Sequence, residues 1–327
     1  MLKKMWVFVI AVAIVASCCL IPSSAASLEN SLIASFDFSE GSYEDMLDKG
    51  DFTDPIESAY GDGQITFVED ETLGKTVMKL ENKAIQYTLS DQAVADLSGN
   101  FTYETYIYFP SRVSRFSLIC GTLWYGQAGV PNQGAAIVVG NFGETEGNSI
   151  GARNTISACA GKDSSMANIA GDKSLSFGQW VHLVYVHDGG TDYFYMNGVD
   201  MSNGGAASFD GMSVNQEQGF RIGGYNMANN FDVAEMSMAY LKVYAEAATA
   251  ADVQEMCSAL GIEVDPNASN NNNNNNDDVE DSDPTPVPSS NTDKKDQVDN
   301  TKTFDLGIVS LAAVALSSAV VVKKKRK

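Results

Sequence analysis

Trp180-Val181-His182-Leu183-Val184-Tyr185-Val186-His187, then Asp188-Gly189-Gly190, then Tyr193-Phe194-Tyr195-Met196 and Asn197-Gly198, is the stretch that decides the fold. The first run is β-branched and aromatic, bounded by turn residues, which predicts a strand. Asp-Gly-Gly turns the chain and Tyr193–Met196 returns it. Asn-Gly then supplies the positive φ of a second tight turn. A second run, Phe101-Thr102-Tyr103-Glu104-Thr105-Tyr106-Ile107-Tyr108-Phe109, places Phe101, Tyr103, Thr105, Ile107 and Phe109 on one face. Further strands are expected at Leu32–Phe38, Val77–Leu80, Ile85–Leu89, Arg115–Leu123, Ala135–Val139, Phe220–Ile222 and Glu235–Tyr244. Many short strands between Gly, Asn and Asp turns predict an all-β sandwich of two antiparallel sheets. The one clear helix runs from Thr249 to about Leu260, with Thr249 as cap, Asp252 three residues on and Gly261 as stop.

The order of these segments resembles the laminin G-like jelly-roll domains of the concanavalin A-like lectin/glucanase superfamily. Leu32-Ile33-Ala34-Ser35-Phe36-Asp37-Phe38 is similar to the family's opening strand. Phe101 to Tyr108 is similar to its Phe-Thr-x-Glu-x-Trp strand, with Tyr106 where Trp is usual. Trp180-Val181-His182 with Tyr195-Met196-Asn197-Gly198 resembles its Trp-x-His … Tyr-x-Asn-Gly hairpin. Ile222-Gly223-Gly224, Ala239–Tyr244 and the helix with Asp252-Val253 resemble its closing strands and terminal helix. The resemblance covers nearly all of residues 28–262 and implies a concanavalin A-like jelly-roll β-sandwich.

The ends of the chain read separately. Met1-Leu2-Lys3-Lys4, an apolar run from Met5 to Ile21 and Ser24-Ala25-Ala26 have the form of a secretory signal peptide, residues 1–26. Val15-Ala16-Ser17-Cys18 also resembles a lipobox, in which Cys18 would carry lipid. Residues 27–265 form the domain. Residues 266–304 hold an unbroken Asn run at 270–276 and Pro284-Thr285-Pro286-Val287-Pro288, the composition of a disordered stalk. Leu306–Val322, a predominantly apolar stretch of 17 residues closed by Lys323-Lys324-Lys325-Arg326-Lys327, reads as a transmembrane anchor within residues 305–327. The order of stalk, apolar run and basic tail resembles the cell-wall sorting signal of Gram-positive surface proteins. Asn300 and Thr303 fit its Asn-Pro-x-Thr-Gly motif, while Thr301 replaces Pro and Phe304 replaces Gly. The expected address is the outer face of a Gram-positive-type cell membrane or wall, with a single C-terminal span.

The net charge of -21 argues against nucleic-acid binding, which needs a basic surface. The domain itself carries 33 Asp and Glu against 11 Lys and Arg. Two histidines rule out a His-rich metal centre and leave few acid–base candidates. His182 shares a strand face with Trp180 and Val184 and is expected as a hydrogen-bonded buried imidazole. Glucanases of the superfamily place Glu-x-Asp-x-x-Glu or Glu-x-Asp-x-Glu on one strand, because retaining hydrolysis needs two carboxyls about 5–5.5 Å apart. Neither pattern occurs, and Glu104 and Glu235 each lack a carboxylate at i±2. Gly-x-Ser-x-Gly occurs once, at Gly147-Asn148-Ser149-Ile150-Gly151, but in a Gly- and Asn-rich stretch without the strand-then-helix pattern that a nucleophile elbow needs. The chain is therefore expected not to be an enzyme and to have no catalytic residues.

A binding module is the expected function, carbohydrate-binding or adhesive, with a protein–protein adhesion module as the alternative. Trp124 and Tyr125, at the end of a strand, and Tyr225, Asn226, Asn229 and Asn230, in a second loop, have the rings and planar amides that hold sugars. Trp124 and Tyr225 are also readable as partly buried loop anchors, because aromatic residues are often core. The expected partners are a glycan or an extracellular protein, and the membrane through the C-terminal span. No cofactor is required. The resemblance allows a structural Ca2+, and Asp188, Asp210 and Asp232 sit in suitable loops without a diagnostic spacing. Cys120, Cys159 and Cys257 allow one disulfide, such as Cys120 with Cys159, or three buried thiols.

Overall fold

The computed structural model describes residues 28–58, 63–110, 117–124, 132–139, 156–163, 165–169, 178–202, 204–224 and 235–264. These fall within one compact unit, Met1–Asn273. The signal segment, stalk and apolar C-terminal run lie outside the described residues.

Two antiparallel sheets form. The first runs β13 (Val199–Asp200), β12 (Thr191–Met196), β11 (Trp180–Asp188), β6 (Phe101–Tyr108), β16 (Met236–Tyr244), β4 (Lys75–Glu81), β3 (Gln64–Asp70). β1 (Leu32–Asp37) also pairs with β16, and β14 (Ala206–Ala207) with β12. The second runs β10 (Ser165–Ile169), β9 (Ile156–Lys162), β8 (Gly134–Val139), β7 (Ser117–Gly121), β15 (Phe220–Ile222), β5 (Ile85–Leu89), β2 (Phe52–Glu57). Every expected strand is present. Tyr103, Ile107, Leu183 and Tyr185 of the first sheet meet Tyr87, Ile119, Ile137 and Phe220 of the second in one buried core. This is the sandwich predicted from alternation.

The deciding hairpin is built as its turn residues require. Gly189 and Gly190 have φ of 51° and 89° between β11 and β12, and Asn197 and Gly198 have 49° and 76° between β12 and β13. Both pairs supply the two positive φ values of a type I′ turn. Asn197 adds a clamp: its Oδ1 accepts from the His182 N–H (2.9 Å), and its own N–H donates to the His182 carbonyl (2.8 Å). The distant His and Asn of the hairpin are thereby tied through the backbone.

Two full α-helices occur among the described residues, beside a helical turn at 28–30 and a 3-10 helix at Phe38–Glu40. The C-terminal one, α2 (Ala250–Ala259), has the full capping box of Thr249 and Asp252, and ends before Gly261 at φ 69°. The other, α1 (Asp91–Ser98), is capped by Ser90 Oγ accepting from the Ala93 N–H, and buries only Ala93 and Leu97. It is an addition to the sequence reading. Helix α2 covers the outer face of the first sheet, where Val184, Val186, Tyr195 and Tyr244 pack with Val253. Gly198 makes that docking close, because a Cβ there would stand 2.5 Å from Val264 Cγ2 and 3.0 Å from Cys257 Sγ.

Cys120, Cys159 and Cys257 are free, buried thiols. The disulfide between Cys120 and Cys159 is excluded by topology. β8 lies between their strands, and Cys120 faces the sandwich core while Cys159 belongs to a separate cluster with Leu118 and Val138. Burial pushes both thiols well above the ordinary value.

Candidate functional site

Beneath α2, the outer face of the first sheet centres on Glu104. The register puts Glu104 opposite Lys242 of β16 and Val184 of β11. Tyr240, Tyr244 and His182 therefore stand diagonally around it on the same face. Tyr240 Oη donates to Oε1 (2.8 Å), Tyr244 Oη to Oε2 (2.8 Å), and His182 Nε2–H to Oε1 (3.3 Å). A carboxylate can only accept, which places the His182 proton on Nε2 and leaves Nδ1 as acceptor for the Cys257 thiol at 3.4 Å.

Burial alone would raise the Glu104 carboxyl. The hydrogen bonds from His182 and Tyr244 and the charge of Lys242 outweigh it and hold the group below its ordinary 4.5. Burial first, and the Glu104 charge second, raise both tyrosine hydroxyls well above their usual value. Burial, then Glu104, pushes the Cys257 thiol up to about 11. Thiol, imidazole and carboxylate stand in the order of a cysteine nucleophile's relay, but such a nucleophile must be a thiolate. Cys257 is fully buried and protonated at neutral pH, so it acts as a hydrogen-bond donor that fastens α2 to the sheet. His182 is the hydrogen-bonded buried imidazole that its position on β11 predicts.

A cavity of about 450 Å3 opens beside this network. Glu104, Tyr240, Lys242 and Tyr244 form its floor, and Asp252, Glu255 and Met256 of α2 stand on the other side. The sequence pointed to Glu104 as a strand carboxylate but to none of the tyrosines, because their convergence depends on strand register. Glu235, the other strand candidate, is half exposed and pairs with Lys79 at 3.6 Å.

Of the sequence-derived loop residues, Trp124 follows β7 of the second sheet. Trp124 is 7% exposed, bridges to Gln133, and has the Arg221 guanidinium 5.3 Å from its ring centre. Arg221 itself is fully buried and donates from Nη2 to the Leu123 carbonyl. Trp124 thus sits as a packed ring at the root of its loop. Tyr125, Tyr225, Asn226, Asn229 and Asn230 lie outside the described residues. Their roots are informative. β7 and β15 are antiparallel, with Gly121 opposite Arg221 and the Gly223 N–H bonded to the Ile119 carbonyl. The chain therefore leaves Trp124 and Gly224 at opposite ends of the sheet, roughly 20 Å apart at about 3.3 Å per residue.

Asp188 and Asp210 lie in turns packed together through the Ser208 N–H to Gly190 carbonyl bond, and Asp188 Oδ1 accepts from Asn100 Nδ2 at 3.1 Å. Asp232 lies outside the described residues. Neither Asp188 nor Asp210 falls in a group of three or more His, Cys, Asp or Glu side chains among the described residues.

Comparison with known proteins agrees with this architecture. No curated protein sequence matches the chain. Among solved structures, domain 4 of AbnA, a GH43 extracellular arabinanase from Geobacillus stearothermophilus solved with arabinotriose, is similar at TM-score 0.51 and 17% identity. The match covers 69% of this chain and 98% of that one. The receptor binding domain of botulinum neurotoxin C/D mosaic serotype is similar at TM-score 0.52 and 13% identity, over 70% of this chain and 51% of that one. Trypanosoma rangeli sialidase in complex with sialic acid follows at 0.50 and 11%, over 72% and 34%. The chain thus spans about half of the toxin domain and a third of the sialidase, and identities this low establish the fold alone. The family model described as the concanavalin A-like lectin/glucanases superfamily, of laminin G type, matches residues 82–254, which hold the deciding hairpin, the Glu104 strand and the first half of α2. The chain belongs to that superfamily.

Proposed function

We propose that residues 27–265 are a non-catalytic, carbohydrate-binding or adhesive module displayed outside the cell. The observation that carries the reading is the state of Glu104. Retaining hydrolysis needs a protonated acid and a free nucleophilic carboxylate side by side, whereas both Glu104 oxygens are occupied by donors from two tyrosines and a histidine. Its chemistry is that of a structural hub. Domain 4 of AbnA, matched over 98% of its length, was solved with arabinotriose, which supports a glycan as ligand.

Tyr125 and the Tyr225–Asn230 loop are the proposed sugar contacts, each acting on its own because their roots stand at opposite ends of the sheet. A glycan array with the 27–265 fragment, with and without Ca2+, tests this. Tyr125→Ala or Tyr225→Ala is expected to weaken glycan binding about fivefold, the loss of one stacking ring worth about 1 kcal/mol. No glycan signal at millimolar ligand, with retained binding to an extracellular protein, would establish the protein-adhesion reading instead. Released reducing sugar would restore the hydrolase.

The address is part of the same proposal. The basic-apolar start and the apolar run with its basic end support export followed by C-terminal anchoring. Deleting residues 306–327 is expected to move the protein from the envelope fraction to the medium. Retention in the envelope would point to lipidation at Cys18.

A further inference from the structure

We propose that the row of rings Tyr106, Tyr108, Trp180 and Tyr240, on the outer face of the first sheet, binds an uncharged oligosaccharide. The proposal rests on the glycan reading of the function and deepens it, because it gives the sugar a rigid surface apart from the loops.

Three observations lead there. The first is the rings themselves. Tyr106 and Tyr108 follow Glu104 at i+2 and i+4 on β6, so they share its outward face. The register sets Trp180 opposite Tyr108 and Tyr240 opposite Tyr106. Trp180 lies 5.3 Å from Tyr106 and 5.7 Å from Tyr108 between ring centres, and Tyr106 lies 6.4 Å from Tyr240. All four are partly exposed, whereas Phe101, Tyr103 and Tyr185 of the inward face are fully buried. Accessible rings held in a row offer faces on which the C–H groups of a sugar chain can stack.

The second is fixed orientation. Trp180 Nε1–H donates to Asp70 Oδ1 at 3.3 Å, and the same oxygen accepts from the Leu73 N–H at 2.9 Å. β3 and β11 are separated by three strands in the sheet, so this bond brings the tip of the β3–β4 hairpin across to the rings. Lys75, at the same tip, holds its Nζ 5.8 Å from the centre of the Tyr240 ring. A ring already pinned by its N–H loses little freedom when a ligand arrives.

The third is a set of unused polar atoms. Asp70 Oδ2, Lys75 Nζ and the Tyr106 and Tyr108 hydroxyls have no hydrogen-bond partner among the described residues, and all remain open to solvent. They give sugar hydroxyls an acceptor, a donor and two groups that serve as either. Charge then selects the sugar. Asp70 and Lys75 cancel, while Lys79 and Lys242 are held by Glu81 and Glu29. The surrounding domain is strongly acidic, so an anionic glycan is repelled and an uncharged one fits.

Trp180 serves as the reporter. The full chain has three tryptophans, so Trp6→Phe with Trp124→Phe leaves Trp180 alone. The full chain, in a detergent without a sugar headgroup, is first applied to an array of neutral and acidic oligosaccharides. The strongest neutral binder is then titrated into the double variant while Trp180 emission is followed. A saturable change in emission is expected. Adding Tyr108→Ala should weaken binding about fivefold, the loss of one stacking ring. Adding Lys75→Ala should weaken it severalfold; both side chains are partly exposed, so the fold should be kept. Neutral glycan on the array with no change in emission, or with affinity unaltered in both variants, overturns this site and leaves the sugar to the loops. Acidic oligosaccharides bound more tightly than neutral ones overturn the choice of ligand. An array without any signal overturns the glycan reading and this site with it, and a Trp180 response to an extracellular protein alone would make the face a protein contact.

Discussion

Glu104→Ala is expected to lower the unfolding free energy by about 3–5 kcal/mol, the range for removing one partner from a buried, hydrogen-bonded charge cluster. Glu104 is 4% exposed, and its removal strands the His182 imidazole and the Tyr244 hydroxyl, both buried, along with the half-buried Tyr240. The loss spreads to α2, because His182 also receives the Cys257 thiol. Glu104→Gln keeps the volume and one carbonyl acceptor, and should cost roughly 1–3 kcal/mol. Acid titration supplies an independent readout. The carboxyl is held below 4.5 in the folded state, so its contribution is fully present above that pH and disappears as pH falls through the folded value. Wild type should lose stability on acidification below 4.5, and Glu104→Gln should lose less over the same interval. Urea melts in which Glu104→Ala stays within about 1 kcal/mol of wild type would remove the hub from this account.

The same network shows what can be read in the sequence and what cannot. β6 and the β11–β12 hairpin were legible because their aromatic and β-branched residues alternate and their turns carry Asp-Gly-Gly and Asn-Gly. β9 was not. Ile156-Ser157-Ala158-Cys159-Ala160-Gly161-Lys162 has few residues of high strand propensity, yet Ile156 to Gly161 is buried throughout. Small side chains are selected there by close packing inside the sandwich, and tertiary context overrides local preference. α1 was missed for the converse reason: eight residues with two buried side chains give almost no helical periodicity. The site was the least legible. Tyr240 and Tyr244 lie 136 and 140 residues from Glu104, and only the register of β16 against β6, with its irregularity between Met238 and Tyr240, brings them to one carboxylate. A local spacing search looks for carboxylates beside Glu104 and cannot see phenols that arrive from another strand.

Asp192→Ala is expected to be as damaging, by about 3–5 kcal/mol, but from the opposite face of the sheet. Asp192 is fully buried at the end of the sandwich core. His187 Nδ1–H donates to its Oδ1 (2.5 Å) and Tyr185 Oη to its Oδ2 (3.1 Å). Burial, then the Asp192 charge, raises the Tyr185 hydroxyl well above its ordinary value, so it remains a donor at any working pH. Phe101 closes the group in, stacked on His187 at 5.2 Å and edge-on to Tyr185 at 5.6 Å. Little water can replace the lost acceptor, so both donors would be left unsatisfied in an apolar core. The cost should therefore lie in the orphaned partners rather than in the lost contact itself. Removing all the polar members together, as Tyr185→Phe, His187→Phe and Asp192→Val, should accordingly recover most of the stability that Asp192→Ala loses. Denaturation of the two variants side by side makes the comparison. If the triple variant is no more stable than Asp192→Ala, the penalty comes from a packing defect or strain at the β11–β12 hairpin. If Asp192→Ala costs under about 1 kcal/mol, water reaches His187 and Tyr185 after all, and this end of the core is open.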